Sequence, residues 1–191
     1  MLRTYQQSDL APLVAMNADP DTMRYLGGPT PPARSLARAA EAQKAFAGGT
    51  LGFLPIERRE DGAFLGLAGL GRLDWYPDDE EVGWRLLPEH RGRGYATEAG
   101  RAWLDHAFQT LDVARVISVA DVPNVASQAV MRRLGMRLDH RATLREGDET
   151  FEAAVHAISR AEWEERPSVG ASPHRATDDG RVKPHPTARA P

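Results

Sequence analysis

The sequence predicts one α+β domain in which helices and strands share a single core. Three observations predict it. The chain has 191 residues with 41% hydrophobic content, which suits one compact domain. Its hydrophobic spacing switches repeatedly between a helical and a strand period. After residue 165 the composition turns to proline, small and polar residues, which sets the limit of that domain at 1–165.

The elements follow in chain order. Ser8-Asp9 reads as the N-cap of a helix carrying Leu10, Leu13, Val14 and Met16. Asp19-Pro20-Asp21 opens a short second helix through Tyr25, stopped by Gly27-Gly28-Pro29. The alanine-rich residues 33–47 make a third, ended by Gly48-Gly49. Strands then follow over 51–58 and 63–73, joined by a Glu60-Asp61-Gly62 turn. A third strand spans 81–87, where Val82, Trp84 and Leu86 alternate with Glu81, Gly83 and Arg85.

After a loop, Ala96, Ala99, Trp103, Ala107 and Leu111 mark one side of a helix over 95–110. Residues 115–120 form an apolar strand and 123–134 a helix, with Gly135 as its C-terminal cap. Arg132 and Arg133 suit the negative end of that helix dipole. Two last strands, over 136–145 and 150–160, flank a turn at Glu146-Gly147-Asp148. Residues 166–191 carry five Arg/Lys against two Asp and too few aliphatics to offset their ordering entropy. They are expected to be a disordered, Pro-rich basic tail.

Bulk chemistry narrows the function. The net charge is −3, so the protein is no polycation built for nucleic acid. There is no cysteine, which excludes disulfides, thiolate metal sites and cysteine nucleophiles. The six histidines show no metal-ligand spacing, so no metal is expected. No stretch nears the roughly 18 apolar residues of a membrane span, and no signal core opens the chain. A cytoplasmic protein that avoids membranes is the expectation.

The most informative stretch is "PEHRGRGYATE", residues 88–98. It lies between a strand and a helix. The first four N–H groups of a helix have no partner within it, and with the helix dipole they favour an anion. Arg91, Gly92, Arg93 and Gly94 add charge and backbone freedom. The stretch reads as a phosphate cradle, or equally as a solvated basic loop. A Walker loop is absent, and Gly92-Arg93-Gly94-Tyr95-Ala96-Thr97 lacks the last glycine of a dinucleotide fingerprint.

Arg91-x-x-Gly94-x-Ala96 resembles the pyrophosphate signature of the GNAT superfamily of acyl-CoA-dependent N-acyltransferases. "EVGWRLLPEHRGRGYATEAGRAWLDHAF" is similar to that family's fourth strand, loop and third helix. "VISVADVPNVASQAVMRRLGM" is similar to its fifth strand and fourth helix. The branch it resembles most acetylates the N-termini of ribosomal proteins, at alanine or serine. The resemblance implies a mostly antiparallel sheet of about seven strands, splayed between the fourth and fifth, with about four flanking helices.

It also implies a chemistry. Acetyl-CoA would be the cosubstrate and a primary amine the acceptor, either a small molecule or a protein N-terminus. Backbone groups of Leu86 and Leu87 would pair with the pantetheine, and an N–H near Leu86 would face the thioester oxygen. The N–H groups of Arg91, Gly92, Arg93, Gly94, Tyr95, Ala96 and Thr97 would hold the pyrophosphate. Asn124 would lie near the pantetheine, or simply cap a helix. Ser127 would point to the sulfur and serve as acid, or bond to its own helix. Members with a tyrosine acid carry it where this chain has Met131. Glu81, or Glu80 beside it, would be the base, or a solvated strand-end carboxylate. Asp74, Asp78 and Asp79 would attract a cationic acceptor, and Trp75 and Tyr76 would wall its site or pack. A homodimer is common in the family. The alternatives are a non-catalytic acyl-CoA-binding domain of the same fold and a nucleotide-binding protein.

Overall fold

The computed structural model describes residues 1–48 and 52–166. The expected tail lies outside them except for Arg166. That residue stacks on the Trp163 ring, 3.3 Å from its centroid, and donates to the Leu134 carbonyl at 2.8 Å.

Six strands form one mixed sheet. They are β1 (Phe53–Glu57), β2 (Phe64–Leu73), β3 (Tyr76–Leu86), β4 (Arg115–Asp121), β5 (Arg137–Glu146) and β6 (Glu149–Ser159), in spatial order β1-β2-β3-β4-β6-β5. All neighbours are antiparallel except β3 and β4. The helices are α1 (Leu10–Ala18), α2 (Pro20–Met23), α3 (Pro32–Ala47), α4 (Tyr95–Thr110), α5 (Val125–Arg133) and α6 (Arg160–Glu164).

The class is as expected, with six strands rather than about seven. The N-terminal segment adds no seventh, since Leu2 makes only an isolated bridge to Ile56. Met1 and Glu57 exchange both backbone bonds, but Arg3 only donates to the Pro55 carbonyl. Proline has no N–H to return that bond, so the ladder stops. β3 starts at Tyr76, earlier than expected, because Glu80 pairs with Arg72 and Tyr76 with Leu73. This cross-strand pairing outweighs the weak strand propensity of aspartate and puts Asp78 and Asp79 on a strand rather than in a loop.

Alternation divides the sheet into two faces. Val82 and Leu86 of β3, Leu70 of β2 and Val116 of β4 join Ala99, Trp103 and Leu104 of α4 in the main core. Leu67 on the other face packs with Leu13 and Met16 of α1 and Ala39 of α3. Asp9 does not cap α1 through its side chain. It is 1% exposed and holds the Arg3 guanidinium with both oxygens, at 2.6 and 2.9 Å, and Arg3 also bonds Glu57. Among the described residues, no helix is long and apolar enough to cross a membrane.

Candidate active site

β3 and β4 run side by side for only two pairs, Glu80 with Val116 and Glu81 with Ile117. Beyond Glu81 they part. An open cleft of about 1250 Å³ passes through the gap, lined by Glu81, Leu86, Arg91, Ser118, Asn124 and Ser127 among others. The splay expected between these two strands is therefore present, and Glu81 stands at its apex.

The two glutamates divide cleanly. Glu80 is buried, and its Oε1 accepts from Arg72 at 2.9 and 2.7 Å, on the sheet face opposite Glu81. Glu81 lines the cleft and has no cationic partner among the described residues. Burial pushes its carboxyl up to about 7, against one bond from the Val119 backbone N–H that favours the charged form.

Leu87 donates its N–H to the Leu65 carbonyl at 3.0 Å, and its own carbonyl accepts from His90. Leu87 is thus committed to β2 and to the loop. Adjacent residues of a strand point their backbone groups to opposite edges. The Leu86 N–H accordingly faces the gap that β4 has left. Its carbonyl accepts from Arg91 Nε at 3.2 Å. Of the two residues expected to offer backbone groups here, Leu86 is the one whose N–H points to the gap.

The loop after β3 delivers the chain to α4. Gly92 and Gly94 have φ of 73° and 87°, and Gly94 is the N-cap of α4 with no side-chain cap bond. A Cβ at either would meet nothing within 4 Å. Their left-handed backbone, rather than crowding, calls for glycine. Glu98 is the first α4 residue to bond back, to the Gly94 carbonyl at 3.0 Å. The N–H groups of Tyr95, Ala96 and Thr97 precede any intrahelical partner. Arg91 braces the loop, bonding Thr22 Oγ1 at 2.6 Å as well as Leu86. Arg93 is exposed.

Across the gap, Asn124 caps α5, its side-chain oxygen accepting from the Ser127 N–H at 3.1 Å. Ser127 is half-buried, lines the cleft, and its hydroxyl makes no hydrogen bond among the described residues. Met131 is fully buried in the core.

Trp75 both packs and lines the cleft. Its Nε1 donates to the Arg145 carbonyl at 3.0 Å and its ring meets Phe151 edge-on at 5.6 Å. Tyr76 turns away, its hydroxyl 2.9 Å from His140. Asp79 pairs with Arg115 at 3.4 Å. Arg85 was missed by sequence reading. Alternation alone placed it on the polar side of β3, yet that side is the cleft wall. Among the described residues, no group of three or more His, Asp or Glu is placed to hold a metal.

The acetyltransferase (GNAT) domain model matches residues 1–137, most of the chain. The chain belongs to the GNAT family. An uncharacterized N-acetyltransferase of Bacillus subtilis, YnaD, is 32% identical over 85 residues, covering 44% of this chain and 50% of that protein. YdaF of the same bacterium, provisionally named a ribosomal N-acetyltransferase, is 30% identical over 106 residues, covering 54% and 58%. The chain thus spans about half the length of these relatives. A Vibrio cholerae spermidine N-acetyltransferase, solved with CoA and spermine, superposes with a TM-score of 0.70 at 17% identity, over 86% of this chain and 97% of that one. This GNAT chain therefore shares the fold with it. The β3–β4 splay and the Gly94 turn both fall within residues matched by the family model.

Proposed function

We propose that this GNAT protein transfers the acetyl group of acetyl-CoA to a primary amine by direct attack. The observation that carries the reading is Glu81, an unpaired carboxyl poised near 7 at the apex of the splay. Acetyl-CoA supplies an activated acyl group as a thioester. The chain's donors fit it: the N–H groups of Tyr95, Ala96 and Thr97 offer an anion site at the start of α4. Arg91, Gly92, Arg93 and Gly94 form the turn that presents them. Leu86, with its N–H toward the gap, offers a donor for pantetheine or for the developing charge on the thioester oxygen. Such preorganised donors contribute about 2.7–4 kcal/mol each.

An alkyl ammonium has a pKa of about 10.4, so the acceptor arrives protonated. Glu81 in its ionised form takes that proton, directly or through water, and frees the attacking lone pair. The Ser127 hydroxyl, with no hydrogen bond among the described residues, would relay a proton from water to the leaving thiolate, taking one as it gives one. Asn124 sets the start of α5 and so the placement of Ser127. No tyrosine can replace it at Met131, which is sealed in the core.

The relatives' names point to ribosomal N-termini and to polyamines, so both amine classes belong in the test. Amine-dependent thiol release from acetyl-CoA would support the transferase. Tight CoA binding with no release for any amine would favour a binding domain instead.

A further inference from the structure

The acceptor side of the cleft is polar in two senses. Glu81, Gly83 and Arg85 share one face of β3. Glu81 and Arg85 lie four residues apart, about 13 Å between Cα atoms at roughly 3.3 Å per residue. Phe53 lies between them. A Cβ at Gly83 would come within 2.9 Å of the Phe53 ring, so glycine lets the ring lie close over the strand there. No ion pair joins Glu81 and Arg85 among the described residues.

Among the described residues Arg85 has no carboxylate partner. Its Nε is buried with no hydrogen-bond partner, and its one side-chain contact of this kind is to Met23 Sδ at 3.3 Å. Tyr5, which bonds the Phe53 carbonyl at 3.0 Å, stands nearby. Arg38 of α3 also lines the cleft and is near enough to repel Arg85. Glu41, one turn further along α3, lines the cleft but pairs with neither arginine among the described residues. A buried guanidinium nitrogen with no partner is costly unless a ligand brings an acceptor, while the exposed Arg38 adds charge to the same cavity wall. Asp121 and Glu146 also line the cavity, Asp121 four residues beyond Ile117 as Arg85 is four beyond Glu81.

Resting on the transferase reading, we infer that the acceptor is an amine that also bears a carboxylate, which docks on Arg85 with help from Arg38 while its amine gives its proton to Glu81 through water. A planar guanidinium fork matches a carboxylate and gives charge-assisted bonds.

The test compares a linear ω-amino carboxylate series with n-alkylamines of equal chain length, measured by thiol release. The expected result is a preference of about tenfold or more in kcat/KM for the carboxylates, the worth of one charge-assisted contact. In Arg85→Met the ratio should fall toward one, and Arg85→Lys should restore part of it. Arg38→Ala, at an exposed site that spares the fold, should reduce the ratio by a smaller factor. Equal use of both series by the native protein would overturn the inference while leaving the transferase standing. So would a ratio untouched by Arg85→Met and Arg38→Ala. Silence from both series would instead count against the transferase. Calorimetry of the amino carboxylate with CoA-loaded protein then decides the subsite: heat lost in Arg85→Met supports it, and heat unchanged overturns it.

Discussion

Glu81 and Ile117 are the last residues that β3 and β4 share before the strands separate. A parallel pair that stops after two residues leaves backbone groups without ladder partners on both sides. A carboxyl held there is half-buried and open to whatever enters the gap. This one relationship ties the sheet topology to the proposed chemistry.

Replacing Glu81 with Gln should therefore remove the proton acceptor. The expected loss in kcat is about 10²–10⁴-fold, with CoA affinity kept. The native rate should climb with pH through an apparent pKa near 7, as the carboxyl ionises. Steady-state kinetics from pH 5.5 to 9 check both points. A flat profile in the native protein would remove Glu81 from the proton transfer.

The same substitution should also affect stability. The folded carboxyl titrates near 7, the unfolded one near the ordinary 4.3. Between those values the folded state holds the extra proton, so stability falls as pH rises. Glu81→Gln escapes that cost. It should raise Tm at pH 8 and change it little at pH 4, as thermal melts at the two pH values would reveal.

Gly94→Pro should abolish CoA binding. The residue sits at φ 87°, which proline cannot adopt, and the turn aims the first α4 donors. Calorimetry on variant protein with native circular dichroism is the check. Unchanged affinity would relocate the cofactor site.

Ser127→Ala should slow turnover more than it weakens CoA binding, since the hydroxyl bonds nothing in its own helix while its N–H keeps the Asn124 cap. An unaltered kcat with both substrates saturating would make Ser127 structural.

Asp9→Asn should destabilise the fold by about 3–5 kcal/mol, because the buried Arg3 bridge loses its charge. Burial works to raise the Asp9 pKa, but the Arg3 bonds and the Gln6 N–H prevail and hold it below the usual carboxylate range. A depressed folded pKa adds stability above the unfolded value, and that gain is lost as pH falls through the folded one. Urea titrations should show the native–variant gap closing below about pH 4.

Much of this was legible in sequence because local signals agreed. α4 and α5 show helical spacing with Gly135 closing α5, and the strand–glycine–helix order located the turn at Gly94. Other parts needed the third dimension. The choice between Glu80 and Glu81 depends on which sheet face each occupies, and only the β2–β3 register assigns that. Leu87 gave no sign that its N–H was taken by Leu65, a long-range pairing. Arg85 looked like a solvated strand residue because alternation tells polar from apolar and cannot tell a cleft from bulk water. The early start of β3 was hidden by aspartates, whose poor strand propensity is overridden by pairing with β2.

The most direct measurement is thiol release from acetyl-CoA against amines and N-terminal peptides, run on the native protein and on Glu81→Gln. The account predicts amine-dependent release by the native protein, rising through pH 7, and near-silence from a variant that still binds CoA. Release that is equal in both proteins, or absent from the native protein with every amine, would contradict it.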